Sequence, residues 1–159
     1  MQATESRLVS WRSEFHCATV ELIERTRQSL RLVDRDLSDW ALEAPAAIAA
    51  LERVLLSPGS SLQIVVQSGD YLERDAPRLG ALRRRFSDRI AIRIAPPALP
   101  VTEGLLLGDS SHVLRRASPE AYRGRLELAA PVSSEQWRRK FEALWDECET
   151  DLPPTMLGL

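Results

Sequence analysis

The sequence is short of cysteine, lysine and long apolar runs, and each shortage removes a class of function. Cys17 and Cys148 are the only two cysteines in 159 residues. They stand far apart without metal-ligand spacing, so neither a disulfide framework nor a cysteine-built metal site has local support. Both are expected to be buried thiols of a cytoplasmic protein. Of 21 basic residues only Lys140 is a lysine, which leaves one candidate for the phosphate-binding or Schiff-base chemistry that lysine supplies. The longest run of small apolar residues, Ala44 to Leu51, is interrupted by Pro45 and is too short to cross a bilayer. The opening stretch mixes charged and apolar residues without a signal-peptide core, so no export and no membrane partner are expected. Charge of neither sign dominates: 21 basic against 23 acidic residues give a net charge of −2. The field of the whole molecule therefore does not steer it toward nucleic acid or anionic lipid.

What is present reads as one α/β domain over residues 1–151 with a tail at 152–159. From Ser13 to Leu30, apolar residues recur at helical spacing, with Phe15, Leu22 and Ile23 on one face and Glu14, Glu21 and Arg25 elsewhere. Leu30 to Val33 then reads as a strand that runs into the acidic loop Asp34-Arg35-Asp36. Pro45 suits the first turn of a second helix that ends at Ser57-Pro58-Gly59. Leu62-Gln63-Ile64-Val65-Val66 has the apolar continuity of a strand covered on both faces. A third helix from about Ala76 to Phe86 and a strand Ile90–Ile94 follow. This alternation predicts parallel strands with right-handed crossovers. Pro96-Pro97-Ala98-Leu99-Pro100 interrupts it, and the short strands around Leu105–Leu107, His112–Leu114 and Arg125–Leu128 predict antiparallel hairpins. Ser133 or Ser134 is the expected cap of a final helix that carries Trp137, Phe141, Leu144, Trp145 and Cys148 on one face.

That element order, closed by Phe141-Glu142-Ala143-Leu144-Trp145, resembles one half of a phospholipase-D-superfamily protein. The superfamily carries His-x-Lys-x4-Asp on and after a late strand. With Gly108-Asp109 aligned to the end of that motif, Asp109 matches, but Thr102 stands at the histidine and Gly104 at the lysine. The segments Leu32–Leu37, Leu62–Gln67, Gly104–Leu107 with Asp109, and Phe141–Glu147 also resemble an uncharacterised bacterial phospholipase-D-like domain, in some proteins joined to a GNAT-type acetyltransferase. The resemblance implies a phospholipase-D-like half domain: a mixed, mostly parallel sheet with flanking helices and C-terminal antiparallel strands. It also implies a degenerate site without a catalytic residue, metal or cofactor. Since the superfamily brings two halves together, it implies a homodimer or a related protein partner. The function expected on this basis is a non-catalytic binding or interaction module, accessory to a partner enzyme such as an acetyltransferase.

The residues leave other chemistry open. Asp34-x-Asp36 after an apolar strand resembles the first motif of haloacid-dehalogenase-type phosphatases, and the resemblance implies a Mg²⁺-dependent phosphohydrolase with Ser68 and Gly108-Asp109 in the order such enzymes require. Asp and Ser at strand ends are also ordinary turn and capping residues. Cys17 would need His16 or His112 to form a nucleophilic dyad in three dimensions. Arg83-Arg84-Arg85, and Arg115-Arg116 with Arg123 and Arg125, are candidate anion or nucleic-acid contacts, although no aromatics are interleaved with them. Trp40 either lines a ligand pocket or packs the acidic loop down.

Overall fold

The computed structural model of the chain describes residues 3–118, 120–148 and 150–153. In chain order the elements are β1 (Glu5–Val9), α1 (Arg12–Arg25), β2 (Ser29–Asp34), α2 (Pro45–Leu56), β3 (Ser61–Val66), α3 (Asp70–Arg74) and α4 (Pro77–Arg85). They continue as β4 (Ile90–Ile94), β5 (Gly104–Gly108), β6 (His112–Arg116), β7 (Gly124–Leu128), α5 (Pro131–Glu147) and β8 (Thr150–Asp151). Among the described residues the strands form one sheet in the order β1-β7-β6-β5-β2-β3-β4-β8.

The sheet is covered on both faces, which is why its central strands carry apolar residues at successive positions. Even-numbered residues of β2, β3 and β5, namely Leu32, Ile64 and Leu106, join Phe15 and Leu22 of α1, Leu51 and Val54 of α2, and Leu79 and Leu82 of α4 in the larger core. Their odd-numbered neighbours Val33, Val65, Leu105 and Leu107 meet Phe141 of α5 and its C-cap Cys148 in a smaller one. Fully burying such a side chain contributes about 1.5–3 kcal/mol, and Phe141 is joined on this face by the partly buried Trp137, Leu144 and Trp145.

The expected mixed α/β sheet with flanking helices and antiparallel C-terminal strands is present. Parallel pairing is confined to β2 with β3 and β3 with β4. Beyond the proline-rich loop, β5 returns antiparallel beside β2, pairing Leu106 with Leu32. The parallel share is therefore smaller than the helix–strand rhythm predicts. Gln67 staples that loop: its amide donates to the carbonyls of Ala95 and Pro96 at 3.1 Å each, and its Oε1 accepts from the Val101 N–H at 2.6 Å.

Several boundaries differ from expectation for identifiable reasons. Helix α1 stops at Arg25 and not at Leu30, because the Arg53 guanidinium caps the carbonyls of Ile23, Glu24 and Thr26 at 2.8–2.9 Å. Helix α5 begins at Pro131 with Ala130 as its N-cap; Ser133 and Ser134 lie inside it, and the Ser134 hydroxyl is buried without a partner among the described residues. Strand β1 and the short α3 had no separate signal. Leu152, the first residue of the expected tail, packs on the larger core and donates its N–H to Ile92 O at 2.8 Å. The rest of that tail, 154–159, lies outside the described residues. Cys148 is buried as expected, but Cys17 is exposed on α1.

Candidate functional site

Strand β5 and the loop before it carry the positions of the degenerate motif, and the structure places these two positions in different surroundings. Gly104 is buried and faces the α1 side. A Cβ there would stand 2.7 Å from Trp40 Cζ2, 3.1 Å from Asp34 Oδ1 and 3.3 Å from Arg116 Cβ. Only a residue without a side chain fits that approach. Thr102 precedes the strand, is exposed, and lines a cavity on the α5 side. The two positions do not converge on one pocket.

The space in front of Gly104 is filled by the loop after β2. Trp40 is fully buried and meets Phe15 edge-on, ring centres 4.7 Å apart. Its indole Nε1 is buried without a hydrogen-bond partner among the described residues. Leu37 and Ala41 flank it in left-handed backbone conformation, φ 74° and 54°, a region that residues with a Cβ seldom enter. Asp34, 3% exposed, accepts from the N–H groups of Leu37 at 2.9 Å and Asp36 at 3.3 Å. Asp36 accepts from the N–H and the hydroxyl of Ser38, at 2.9 and 2.7 Å. Both carboxylates thus fold their own loop. Among the described residues, no group of three or more His, Cys, Asp or Glu side chains is placed to hold a metal ion.

Arg116 closes the same region from β6. Its side chain is 2% exposed and pairs with Asp39 at 3.0 Å. Its Nε donates to Ala121 O at 2.8 Å, and its guanidinium carbon lies 5.1 Å from the Tyr122 ring centre. His16 Nε2 donates to Asp39 O at 2.9 Å and holds that acid's backbone in place. The guanidinium here is answered by the chain's own carboxylate.

Asp109, the motif position that matches, has a structural task of its own. Its carboxylate accepts the N–H groups of Arg27, Gln28 and Ser29 at 2.9, 3.0 and 3.1 Å. Its own N–H donates to Ser29 O at 2.7 Å. The turn after β5 is thereby tied to the α1–β2 connection.

On the other face a cavity of about 150 Å³ opens between β5, the 100–103 loop and α5. Val33, Leu105, Phe141 and Leu144 form apolar wall; Thr102, Glu103, Trp137 and Lys140 complete the lining. Arg115 and Lys140 each lie 4.8 Å from the centre of the Trp137 ring. Arg115 also pairs with Glu103 at 2.8 Å. Residues 115 and 116 therefore serve opposite faces of the sheet. The sequence singles out Lys140 as the one lysine but does not place it beside this cavity. Its available signal was Trp137 three positions earlier on one helix face.

The remaining candidates are dispersed. Cys17 lies on the surface beside Arg7, Val9, Ser13 and Glu14. His112 accepts the Ala129 N–H at Nδ1 at 3.1 Å, and burial pushes its pKa below the usual value. The structure does not bring it to Cys17. Arg83 is buried and donates to the carbonyls of Leu152 and Pro153, at 3.3 and 3.0 Å, while Arg85 pairs with Glu52 at 2.9 Å. Arg125 donates to Ser6 Oγ at 2.8 Å. Ser68 Oγ accepts from the Asp70 N–H at 3.3 Å.

Comparison with known proteins agrees with this architecture. A family model described as a domain of unknown function, DUF7931, matches residues 12–153. No curated protein matches the sequence. Among solved structures, Nuc from Salmonella typhimurium, a phospholipase D family member, superposes with TM-score 0.66 at 14% identity, covering 95% of this chain and 99% of that one. NucT from Helicobacter pylori gives 0.60 at 13% identity over 92% and 98%. The archaeal chromatin protein TrmBL2, whose structure shows a novel mode of DNA binding, gives 0.64 at 17% identity. The chain covers 91% of itself in that match but spans about half, 53%, of TrmBL2. These likenesses establish a shared fold.

Proposed function

We propose that this chain, which belongs to the DUF7931 family, is a phospholipase-D-like binding module without phosphodiesterase activity. One observation carries the reading: Gly104, at the motif's lysine, packs so closely against Trp40 and Asp34 that no longer side chain fits. Thr102 at the histidine position supplies a hydroxyl in place of an imidazole and faces a different cavity. Nucleophile and phosphate-binding cation are the groups that such transfer chemistry depends on. The Mg²⁺ phosphohydrolase alternative is weakened because Asp34 and Asp36 accept hydrogen bonds from their own loop. The arginine alternative is weakened because Arg83, Arg85, Arg115 and Arg116 are held by internal partners.

The test is hydrolysis of bis-p-nitrophenyl phosphate by the purified chain. The expected result is no turnover above buffer. Turnover that Asp109→Asn removes would overturn the reading.

A two-fold partner belongs to the same proposal. Strand β1 is the sheet's edge and pairs only with β7 among the described strands. Leu8 and Trp11, 66% and 71% exposed, stand on and just beyond it. An open edge with exposed large apolar residues invites pairing with a second copy. Light scattering across a dilution series is expected to show dissociation of a dimer; a monomer mass at every concentration rejects self-pairing.

A further inference from the structure

The cavity between β5, the 100–103 loop and α5 has a size, a wall and a charge that together specify a ligand. Its volume of about 150 Å³ is that of cavities that take up a benzene-sized molecule. Val33, Leu105, Phe141 and Leu144 supply apolar wall. The carboxylate in the lining, Glu103, is neutralised by Arg115 at 2.8 Å. Lys140 is not neutralised: it makes no ion pair among the described residues, and Gln136, Trp137, Ala143 and Leu144, its helical neighbours, carry no acid. Its ammonium stacks on Trp137 and keeps its donors available beside the opening. The lining therefore presents one uncompensated positive charge next to an apolar recess.

We propose that this cavity binds a small amphipathic monoanion, an aryl or short-chain carboxylate, with its apolar body between β5 and α5 and its carboxylate on Lys140. The assignment rests on the module reading above only in giving that module a ligand. It uses neither Gly104 nor Asp109.

Benzoate is the probe, with benzyl alcohol and benzylamine as neutral and cationic counterparts of similar size. Binding is followed by tryptophan fluorescence and by protection of Lys140, the single lysine, from acetylation. For so small a ligand a dissociation constant on the order of 1 mM is expected. Benzyl alcohol should bind more weakly and benzylamine least. Lys140→Met should weaken benzoate about threefold to fivefold, the range of an exposed ion pair, and leave benzyl alcohol unchanged. Val101→Phe, which fills the recess, should abolish binding of both. Lys140 is exposed, so its variant keeps the fold and remains decisive if Val101→Phe disturbs the loop. Benzylamine binding as well as benzoate, benzoate binding indifferent to Lys140→Met, or no benzoate binding at tens of millimolar each overturns the assignment. Phosphodiester turnover would instead sink the non-catalytic reading and leave this one standing.

Discussion

The two faces of β5 make opposite uses of the same strand. On the α1 side, Gly104 meets a fully buried Trp40, and the Asp34, Asp39 and Arg116 side chains are engaged with the chain's own groups. On the α5 side, Leu105 borders an open cavity whose lysine has no acid partner among the described residues. The first face is filled by packing. The second has the space and unmatched charge that recognition needs.

The comparison can be broken most decisively by removing the plug. Trp40→Ala is expected to cost about 3–5 kcal/mol, the range for deleting a buried aromatic, measured by urea unfolding. A loss below about 1 kcal/mol would mean that the α1 side is not closed by packing.

Gly104→Lys, which restores the residue type of the motif, should cost about 1–3 kcal/mol by overpacking against Trp40. It should bring no phosphodiester hydrolysis. A stable, active Gly104→Lys variant would show that the pocket persists behind the tryptophan.

His112 sharpens the comparison through pH. Burial lowers its folded pKa below 6.5, so on acidification the unfolded chain takes up the proton first. The stability this neutral histidine contributes is complete above about 6.5 and falls as pH drops from there toward the lowered folded value. The melting temperature of wild type should therefore decline more steeply between neutral and mildly acidic pH than that of His112→Gln. Parallel declines would contradict the assignment.

The smallest effect belongs to Thr102→Ala. This exposed rim residue should change stability by no more than about 0.5 kcal/mol, again by urea unfolding, whereas a catalytic remnant buried in a network would cost more.

Much of this architecture was legible in the sequence. Helix α2 was bounded by Pro45 and by Ser57-Pro58-Gly59, β3 by its apolar continuity and β4 by its alternation, because those signals are local. The end of α1 was not, because it is set by Arg53 from another helix. Strand β1 had too little apolar pattern, with only Val9 of its residues buried. At the site, the vacancies at Thr102 and Gly104 could be read by alignment. That Trp40 fills the resulting space and that Lys140 stands over an open one depend on contacts across 64 and about 40 residues of sequence, which no local spacing encodes.

The most direct test uses the indole N–H signals of the four tryptophans in a proton–nitrogen NMR titration. With inorganic phosphate as ligand, the Trp40 indole and the Gly104 amide should remain unmoved, since the α1 side is closed. With benzoate, the Trp137 indole and the amides near Val101 and Leu144 should shift. Saturable movement of Trp40 and Gly104 on phosphate addition would contradict the account, because it would show a phosphate site still open where the motif once placed it.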